Sequence, residues 1–129
     1  GINFSNGVSG GSATQFYLFA DINSDGIFNL GGTCGQVDSE CREVFILGGG
    51  SSKVGKIEQC FDGRSCPKGD LDDVNIIFRR PESEAHFYAI DGTLLGISDV
   101  AITIQSTKNN TNKRVIHVWN TGHIYVDKT

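Results

Sequence analysis

Residues 114–126, RVIHVWNTGHIYV, decide the fold. They consist of two β-prone runs joined by Asn120-Thr121-Gly122, and a three-residue loop with its glycine in a left-handed conformation is a common hairpin connection. This loop pairs Trp119 with His123 and His117 with Tyr125. The same register places the aliphatic side chains on the other face of the hairpin: Ile116, Val118, Ile124 and Val126. A two-residue loop would mix polar and apolar residues on both faces, so the pattern selects the register. We expect the aliphatic face to lie in the core.

The opposite face of the hairpin carries the histidine, tryptophan and tyrosine side chains. It is covered by another segment, exposed, or used as a contact surface, and coverage is the expectation we favour. The candidate binding residues on or near it are Lys108, Lys113, Arg114, His117, Trp119, His123 and Tyr125. The simplest interpretation of the basic residues in this set is that they belong to an ordinary solvated surface.

Working outward from the hairpin, apolar and β-branched runs recur along the chain with turn signals between them. The predicted strands cover residues 14–20, 43–47, 53–59, 74–79, 85–90 and 100–105. No window of ten or more residues keeps a 3.6-residue period, so no long helix is expected. The pattern predicts one mainly β domain over residues 1–129, an antiparallel two-sheet sandwich. Residues 1–13 are rich in glycine and serine, and we expect a flexible N-terminal segment or a sheet edge there.

Size and charge narrow the class of protein. The chain has 129 residues and a net charge of −4. Residues 105–129 hold four basic residues and one acidic residue, so the rest of the chain is strongly acidic. Broad nucleic-acid binding needs a concentrated basic face, and nucleic acid is therefore not an expected partner. No run approaches the roughly 18 apolar residues of a membrane span.

The four cysteines, Cys34, Cys41, Cys60 and Cys66, lie in polar, glycine-rich sequence typical of loops. Four cysteines allow three pairings. We favour the local pairs 34–41 and 60–66, each worth roughly 2.5 kcal/mol in the chain-entropy account. The rival is a zinc site, although its cysteine pairs usually lie two to four residues apart. Disulfides indicate an oxidising compartment.

The sharpest local motif is Asp21-Ile22-Asn23-Ser24-Asp25-Gly26, the D-x-N-x-D-G half of a calcium loop. Its side chains at loop positions one, three and five converge, and the residue after the glycine lends a carbonyl. Position twelve, usually an acid, is Gly32. Asp38, Glu40 or Glu43 could fold back to supply the missing carboxylate. The candidate calcium ligands are Asp21, Asn23, Asp25, Ile27, Asn29 and Glu40. The alternative is an Asp/Asn/Gly turn satisfied by its own backbone.

The sequence contains no convincing arrangement of residues that is typical of a catalytic site. Gly7-Val8-Ser9-Gly10-Gly11 fits G-x-S-x-G formally, but that motif needs a buried strand before it and a helix after it. His86, His117 and His123 have no nucleophile at a recognisable spacing. We therefore expect no enzyme activity, no catalytic residues and no required cofactor, with calcium as the candidate ligand.

Four stretches, taken together, resemble the globular domain of type IV pilin-like proteins of the minor pilin or pseudopilin (GspH/FimT) type. They are residues 16–26 (FYLFADINSDG), 74–81 (VNIIFRRP), 100–105 (VAITIQ) and 114–126 with Gly122 in the last turn. Their order and spacing carry the resemblance, and together they span nearly the whole chain. The resemblance implies a two-sheet β domain that works as a structural subunit of a type IV pilus or a type II secretion pseudopilus.

The chain departs from that family at three places. The Cys34–Cys41 insertion replaces the acid at the end of the D-x-N-x-D-G loop. Gly122-His123-Ile124-Tyr125 lacks the arginines of the Gly-Arg-x-Arg element in DNA-uptake members. The third departure is that residues 1–129 do not include the family's apolar N-terminal helix, which the resemblance places in a longer protein. The resemblance implies that such a helix anchors the protein in a membrane before filament assembly. An apolar groove should then be exposed, with Ile2, Phe4 and Phe16 as candidates for its edge.

Three functions remain open at this point. The first is a pilin-like subunit whose partners are other pilin subunits, located in the periplasm or inner membrane before assembly and at the cell surface afterwards, acting in assembly and adhesion. The second is a calcium-dependent extracellular binding module built on residues 21–29. The third is DNA capture during uptake, through Lys108, Lys113, Arg114 and Lys128.

Overall fold

The protein is described by a computed structural model covering residues 1–29, 33–37, 39–61, 66, 69–79, 84–109 and 112–128. Ten strands are described: β1 (Ile2–Ser5), β2 (Gln15–Phe19), β3 (Cys41–Ile46), β4 (Ser52–Cys60), β5 (Asp70–Leu71), β6 (Asp73–Phe78), β7 (Ala85–Tyr88), β8 (Asp99–Ser106), β9 (Lys113–Trp119) and β10 (Ile124–Lys128). Leu47–Gly50 forms one short 3₁₀ turn. Within the described ranges, no helix is long and apolar enough to cross a membrane.

The strands form two antiparallel sheets of five strands each, which confirms the predicted sandwich-like β class. The first sheet, sheet A, has the order β3-β2-β1-β6-β7, and the second, sheet B, has the order β10-β9-β8-β4-β5. The predicted strands are all present within a few residues of their expected bounds. Alternation of apolar and polar residues explains why, since it lets each sheet bury one side.

The core lies between the sheets and draws on both. Sheet A contributes Phe4, Val74, Ile76, Ala85 and Phe87, sheet B contributes Val54, Ile57, Val100, Ile102 and Val118, and Ile97 comes from the segment before β8. Most of these side chains are β-branched, which suits a pleated, buried surface. We call the side of each sheet that carries these residues its core-facing side and the opposite side its outer side.

The expectation of a flexible segment or sheet edge over residues 1–13 is wrong for residues 2–5. Strand β1 is the middle strand of sheet A, paired with β2 on one side and β6 on the other. Ile2 and Phe4 alternate with Asn3 and Ser5, which is a strand pattern, but glycine and serine dominate the stretch that follows. Pairing on both sides outweighs the weak local β-propensity.

The last hairpin has the predicted register. His117 pairs with Tyr125, the Trp119 N–H donates to the His123 carbonyl at 2.8 Å, and Gly122 has φ = 87°. The exposure of the aliphatic face differs from the expectation. Val118 is buried, whereas Ile124 and Val126 are 49% and 59% exposed. The reason is position, because β10 is an edge strand with a neighbour on one side only.

Candidate functional site

Both predicted local disulfides are present. Cys34 bonds to Cys41 and Cys60 bonds to Cys66, and no free cysteine is found in the described chain. Cys41 begins β3 and is fully buried. The first bridge therefore ties the loop after residue 33 to the edge of sheet A, immediately beside Glu40.

The D-x-N-x-D-G loop is organised by its own carboxylates. Asp21 accepts backbone N–H groups from Asp25 at 3.2 Å and Gly26 at 2.9 Å. Asp25 accepts the Ile27 N–H at 2.9 Å. That hydrogen bond is the main reason the pKa of Asp25 lies below its usual value. Gly26 has φ = 75° and approaches the Tyr88 ring so closely that an added Cβ would lie 2.5 Å from it.

Glu40 supplies the carboxylate that position twelve of the loop lacks. Its Oε2 accepts the Ile22 N–H at 3.0 Å, and its Oε1 accepts the Asn29 N–H at 2.7 Å. Only 6% of Glu40 is exposed. One buried carboxylate therefore holds both ends of the loop. Glu43, an alternative acid, lies exposed on β3, and Asp38 lies outside the described residues.

Three of the predicted calcium ligands converge. The carboxylate oxygens of Asp21, Asp25 and Glu40 lie within 4.8 Å of one another. The amide nitrogens of Asn23 and Asn29 donate to Asp25 Oδ2 at 3.0 Å and 3.4 Å, and Asn29 also donates to the Ile27 carbonyl at 3.3 Å. Five of the six predicted residues thus share one loop, and Glu40 reaches it from the segment before β3, so that three carboxylates converge there.

The residues of the predicted contact face on the last hairpin differ in burial. His117 is buried, with its ring stacked on Tyr125 at 4.7 Å and its Nδ1 lying 3.6 Å from Oδ2 of the fully buried Asp99. His123 is exposed and lies 5.9 Å from Tyr125 between ring centroids. The burial of His117 agrees with the favoured expectation of a covered face, whereas the exposure of His123 does not.

The basic residues near that face do not form one surface. Lys113 and Arg114 are neighbours on β9, so their side chains leave opposite sides of sheet B. Lys108 lies in the exposed loop before β9, and the side chain of Lys128 lies outside the described residues.

A polar cluster on the outer side of sheet A was missed in the sequence. Register places Asn3 opposite Asn75 and Ser5 opposite Asp73 on adjacent strands. Asn3 Nδ2 donates to Asp73 Oδ1 and to Asn75 Oδ1, both at 2.8 Å, and Asn75 Nδ2 donates to the Gly26 carbonyl at 3.3 Å. Asn3, Ser5 and Asn75 are buried. The signal that could have revealed them is polar residues alternating with apolar ones in both INFS and DVNI.

At neutral pH the partly buried Asp73 carboxyl group lowers the stability of the folded protein. Burial raises its pKa from 3.8 to about 6, against the lowering effect of the Asn3 hydrogen bond. The native state therefore holds this proton more tightly than the unfolded chain does. The stability contributed by Asp73 is complete below about pH 4 and is lost as pH rises towards 6. The full shift corresponds to about 3 kcal/mol, and solvent around this partly exposed group reduces it to about 1–2 kcal/mol.

Replacing Asp73 with asparagine is expected to stabilise the protein at pH 7 by about 1–2 kcal/mol, because the amide keeps the Asn3 hydrogen bond and carries no buried charge. The difference between variant and wild type should shrink as pH falls below the pKa of Asp73. Urea unfolding from pH 4 to pH 7 measures it. A difference that does not change with pH would contradict this assignment.

Comparison of the chain with protein-family models, with curated proteins and with solved structures finds no match.

Proposed function

We propose that this chain is the β-rich head domain of a structural subunit in an extracellular filament, of the minor pilin or pseudopilin kind. The resemblance of four ordered sequence stretches to that family motivates the proposal. Two disulfides suit a periplasmic and then cell-surface location. Its work is assembly and surface contact, with other pilin subunits as partners.

The observation that carries the proposal is a set of apolar side chains left exposed on the core-facing sides of the sheets. Each pairs directly with a residue of the core or packed against it, and each is between 37% and 59% exposed: Leu18, Phe45, Phe78, Ile124 and Val126. Contiguous exposed apolar surface usually marks a contact surface. Leu18 and Phe45 lie on the neighbouring strands β2 and β3 of sheet A, and Ile124 and Val126 lie on the edge strand β10 of sheet B, so the proposal takes each of these sheet edges as a contact. In this proposal an apolar N-terminal helix or a neighbouring subunit packs there.

The expected edge of this surface needs correction. Phe4 belongs to the core, and Ile2 and Phe16 pack against it. Phe16 lies in a stack, with ring centroids 5.2 Å from Phe4 and 4.9 Å from Phe45. The exposed end of the stack is therefore Phe45, on the outermost strand of sheet A. Because β1 is the central strand of sheet A, the proposal takes the exposed Phe45 rather than β1 as the edge of the contact surface.

Leu18→Glu and Ile124→Glu are expected to reduce filament incorporation at least about tenfold, since a charge placed in an apolar contact costs more than about 1.4 kcal/mol. Both positions are partly exposed, so the head domain itself should still fold. Val8→Glu is the matched control, because Val8 is 73% exposed in a loop. The measurement is the share of protein that sediments with sheared filaments from the source cells. Recovery of wild-type protein only outside the filament fraction would refute the proposal.

The second candidate function is calcium-dependent binding, favoured by the convergence of Asp21, Asp25 and Glu40. Calcium prefers carboxylate and carbonyl oxygens, and a carboxylate oxygen that accepts one N–H keeps a further lone pair. The three acids would hold the ion, with the Ile27 carbonyl within the same loop. Water would complete the shell, so we expect a dissociation constant in the extracellular range of about 10⁻⁴–10⁻³ M.

Calcium at about ten times its dissociation constant should stabilise the protein by about 1.4 kcal/mol over a chelated sample. Asp25→Asn should remove this gain. Asp127→Asn is the control, because it removes an exposed carboxylate on β10 of sheet B, whereas the acidic cluster adjoins sheet A. Thermal unfolding with calcium and with chelator decides the matter. An equal melting temperature in both samples would exclude calcium binding.

A further inference from the structure

A cleft of about 390 Å³ opens on the outer side of sheet A, between the glycine-rich residues 7–12 and the D-x-N-x-D-G loop. Small-molecule sites in proteins commonly have volumes of about 300–1,000 Å³. The residues lining the cleft are Asn3, Gly10, Gly11, Ser12, Tyr17, Ile27, Phe28, Asp73, Asn75 and Ile90. They include one carboxyl group and no basic side chain. The acidic calcium candidates, Asp21, Asp25 and Glu40, are not among them.

The polar groups of the cleft offer acceptors. Asn3 commits both amide hydrogens, one to Asp73 Oδ1 and one to Asn75 Oδ1. Within the described part of the chain, Asn3 Oδ1 and Asp73 Oδ2 accept no hydrogen bond. The hydroxyl groups of Ser12 and Tyr17 interact with Thr14 and Gln15. The cleft therefore presents an amide oxygen and a carboxylate oxygen, which calls for a ligand that donates hydrogen bonds.

Access to Asp73 depends on a glycine. An added Cβ at Gly11 would lie 2.5 Å from Ser5 Oγ and 3.7 Å from Asp73 Oδ2. The absence of a side chain at residue 11 lets the glycine-rich segment pass close to Ser5 while leaving the carboxylate uncovered. Asp73 lines the cleft and is partly buried, which fits the desolvation that raises its pKa.

The other walls of the cleft are apolar. Tyr17 and Phe28 lie with ring centroids 4.8 Å apart, and Ile27 and Ile90 add aliphatic surface. Aromatic faces attract cations, and they do so more strongly where water is excluded. A flexible methylene chain can pack along such walls while its charged end reaches a carboxylate.

We propose that this cleft binds a primary alkylammonium group, the chemistry of a lysine side chain, with the ammonium at Asp73 Oδ2 and Asn3 Oδ1 and the methylene chain along Ile27, Phe28 and Ile90. Two of the three N–H donors of the ammonium match these two acceptors, and its charge offsets the partly buried carboxylate. The cleft is a site separate from the apolar contact surface, and the inference does not depend on the proposed filament role.

The test is an NMR titration of ¹⁵N-labelled protein at pH 7.5 with Nα-acetyl-lysine-N-methylamide. We expect saturable shifts of the side-chain amide signals of Asn3 and Asn75. Asp73→Asn should weaken binding at least tenfold. Because this variant is expected to be more stable than wild type, loss of binding could not be attributed to unfolding. The matched control is Asp72→Asn, which removes the charge next to Asp73. Among the described residues, the side chain of Asp72 accepts hydrogen bonds from Asn6 and Ser9 only, and neither residue lines the cleft.

A neutral analogue separates charge recognition from apolar binding. Nε-acetylation of the probe keeps the methylene chain and removes the ammonium, and we expect it to bind at least tenfold more weakly. Titration with 1,5-diaminopentane distinguishes a free diamine from a lysine side chain as the preferred source of the group. The proposal is overturned if neither amine shifts the Asn3 and Asn75 signals, if the acetylated probe binds as tightly as the ammonium, or if Asp73→Asn binds like wild type.

Discussion

Replacing Glu40 with alanine is expected to destabilise the protein by about 2–4 kcal/mol. The carboxylate is almost fully buried and accepts the N–H groups of Ile22 and Asn29. Its removal leaves two partly buried backbone donors without their partner, and each such loss costs about 1–3 kcal/mol. The residues at the two ends of the D-x-N-x-D-G loop are then no longer joined to the edge of sheet A. Chemical unfolding followed by circular dichroism measures the effect.

Two variants locate the origin of this loss. Glu43→Ala removes the same charge three residues along the chain, at an exposed position on β3, and should change stability by no more than about 0.5 kcal/mol. Glu40→Gln keeps the shape but turns one acceptor into a donor that faces a backbone donor, so most of the loss should remain. If Glu40→Ala costs no more than Glu43→Ala, the loop does not depend on this carboxylate.

Replacing His117 with phenylalanine is expected to cost about 3–5 kcal/mol, the larger of the two effects. Phenylalanine keeps a ring against Tyr125, so the stacking seen at 4.7 Å is largely preserved. The imidazole nitrogen 3.6 Å from Asp99 Oδ2 is lost, however, while the Asp99 carboxyl stays fully buried. Removing one member of a buried pair is far more costly than losing an exposed pair, because the remaining carboxyl group stays in the interior with one polar neighbour fewer.

A double-mutant cycle isolates the interaction between the two side chains. We expect His117→Phe combined with Asp99→Leu to cost less than the sum of the single variants, because the double variant contains no buried carboxyl group that has lost a polar neighbour. His123→Phe, on the same hairpin but exposed, should be nearly neutral. Additive single effects, measured by urea unfolding, would show that Asp99 and His117 do not stabilise each other.

Much of the fold follows from short-range pattern. Residues 114–126 determined their own register, since only one loop length separates aliphatic from aromatic side chains. The disulfide pairing was also predictable, because both cysteine pairs are close in sequence and lie in loops. Strand β1 was not predictable from its surroundings. The glycine- and serine-rich residues that follow it are typical of a flexible segment, and its position between β2 and β6 depends on pairing with residues about 70 positions away.

The candidate sites also differ in how much of them the sequence predicted. The motif at residues 21–26 indicated the acidic loop by itself, and Glu40 was one of three acids that could complete it. Only the folded chain chooses Glu40, because the Cys34–Cys41 bridge and β3 bring it beside Ile22 and Asn29. The cleft at Asp73 gave no motif at all. Its polar residues come from two strands far apart in sequence, and antiparallel register places them on one side of sheet A.

The amino-acid sequence by itself determined the β class, most strand positions and the final hairpin, and it favoured the local disulfides, because each rests on residue spacing over a few positions. Tertiary structure alone decided which strand is central, which carboxylate closes the loop, and where apolar side chains are left exposed. Those outcomes depend on contacts between residues distant in sequence. A two-residue period determines which side of a strand a residue occupies, but not what covers that side.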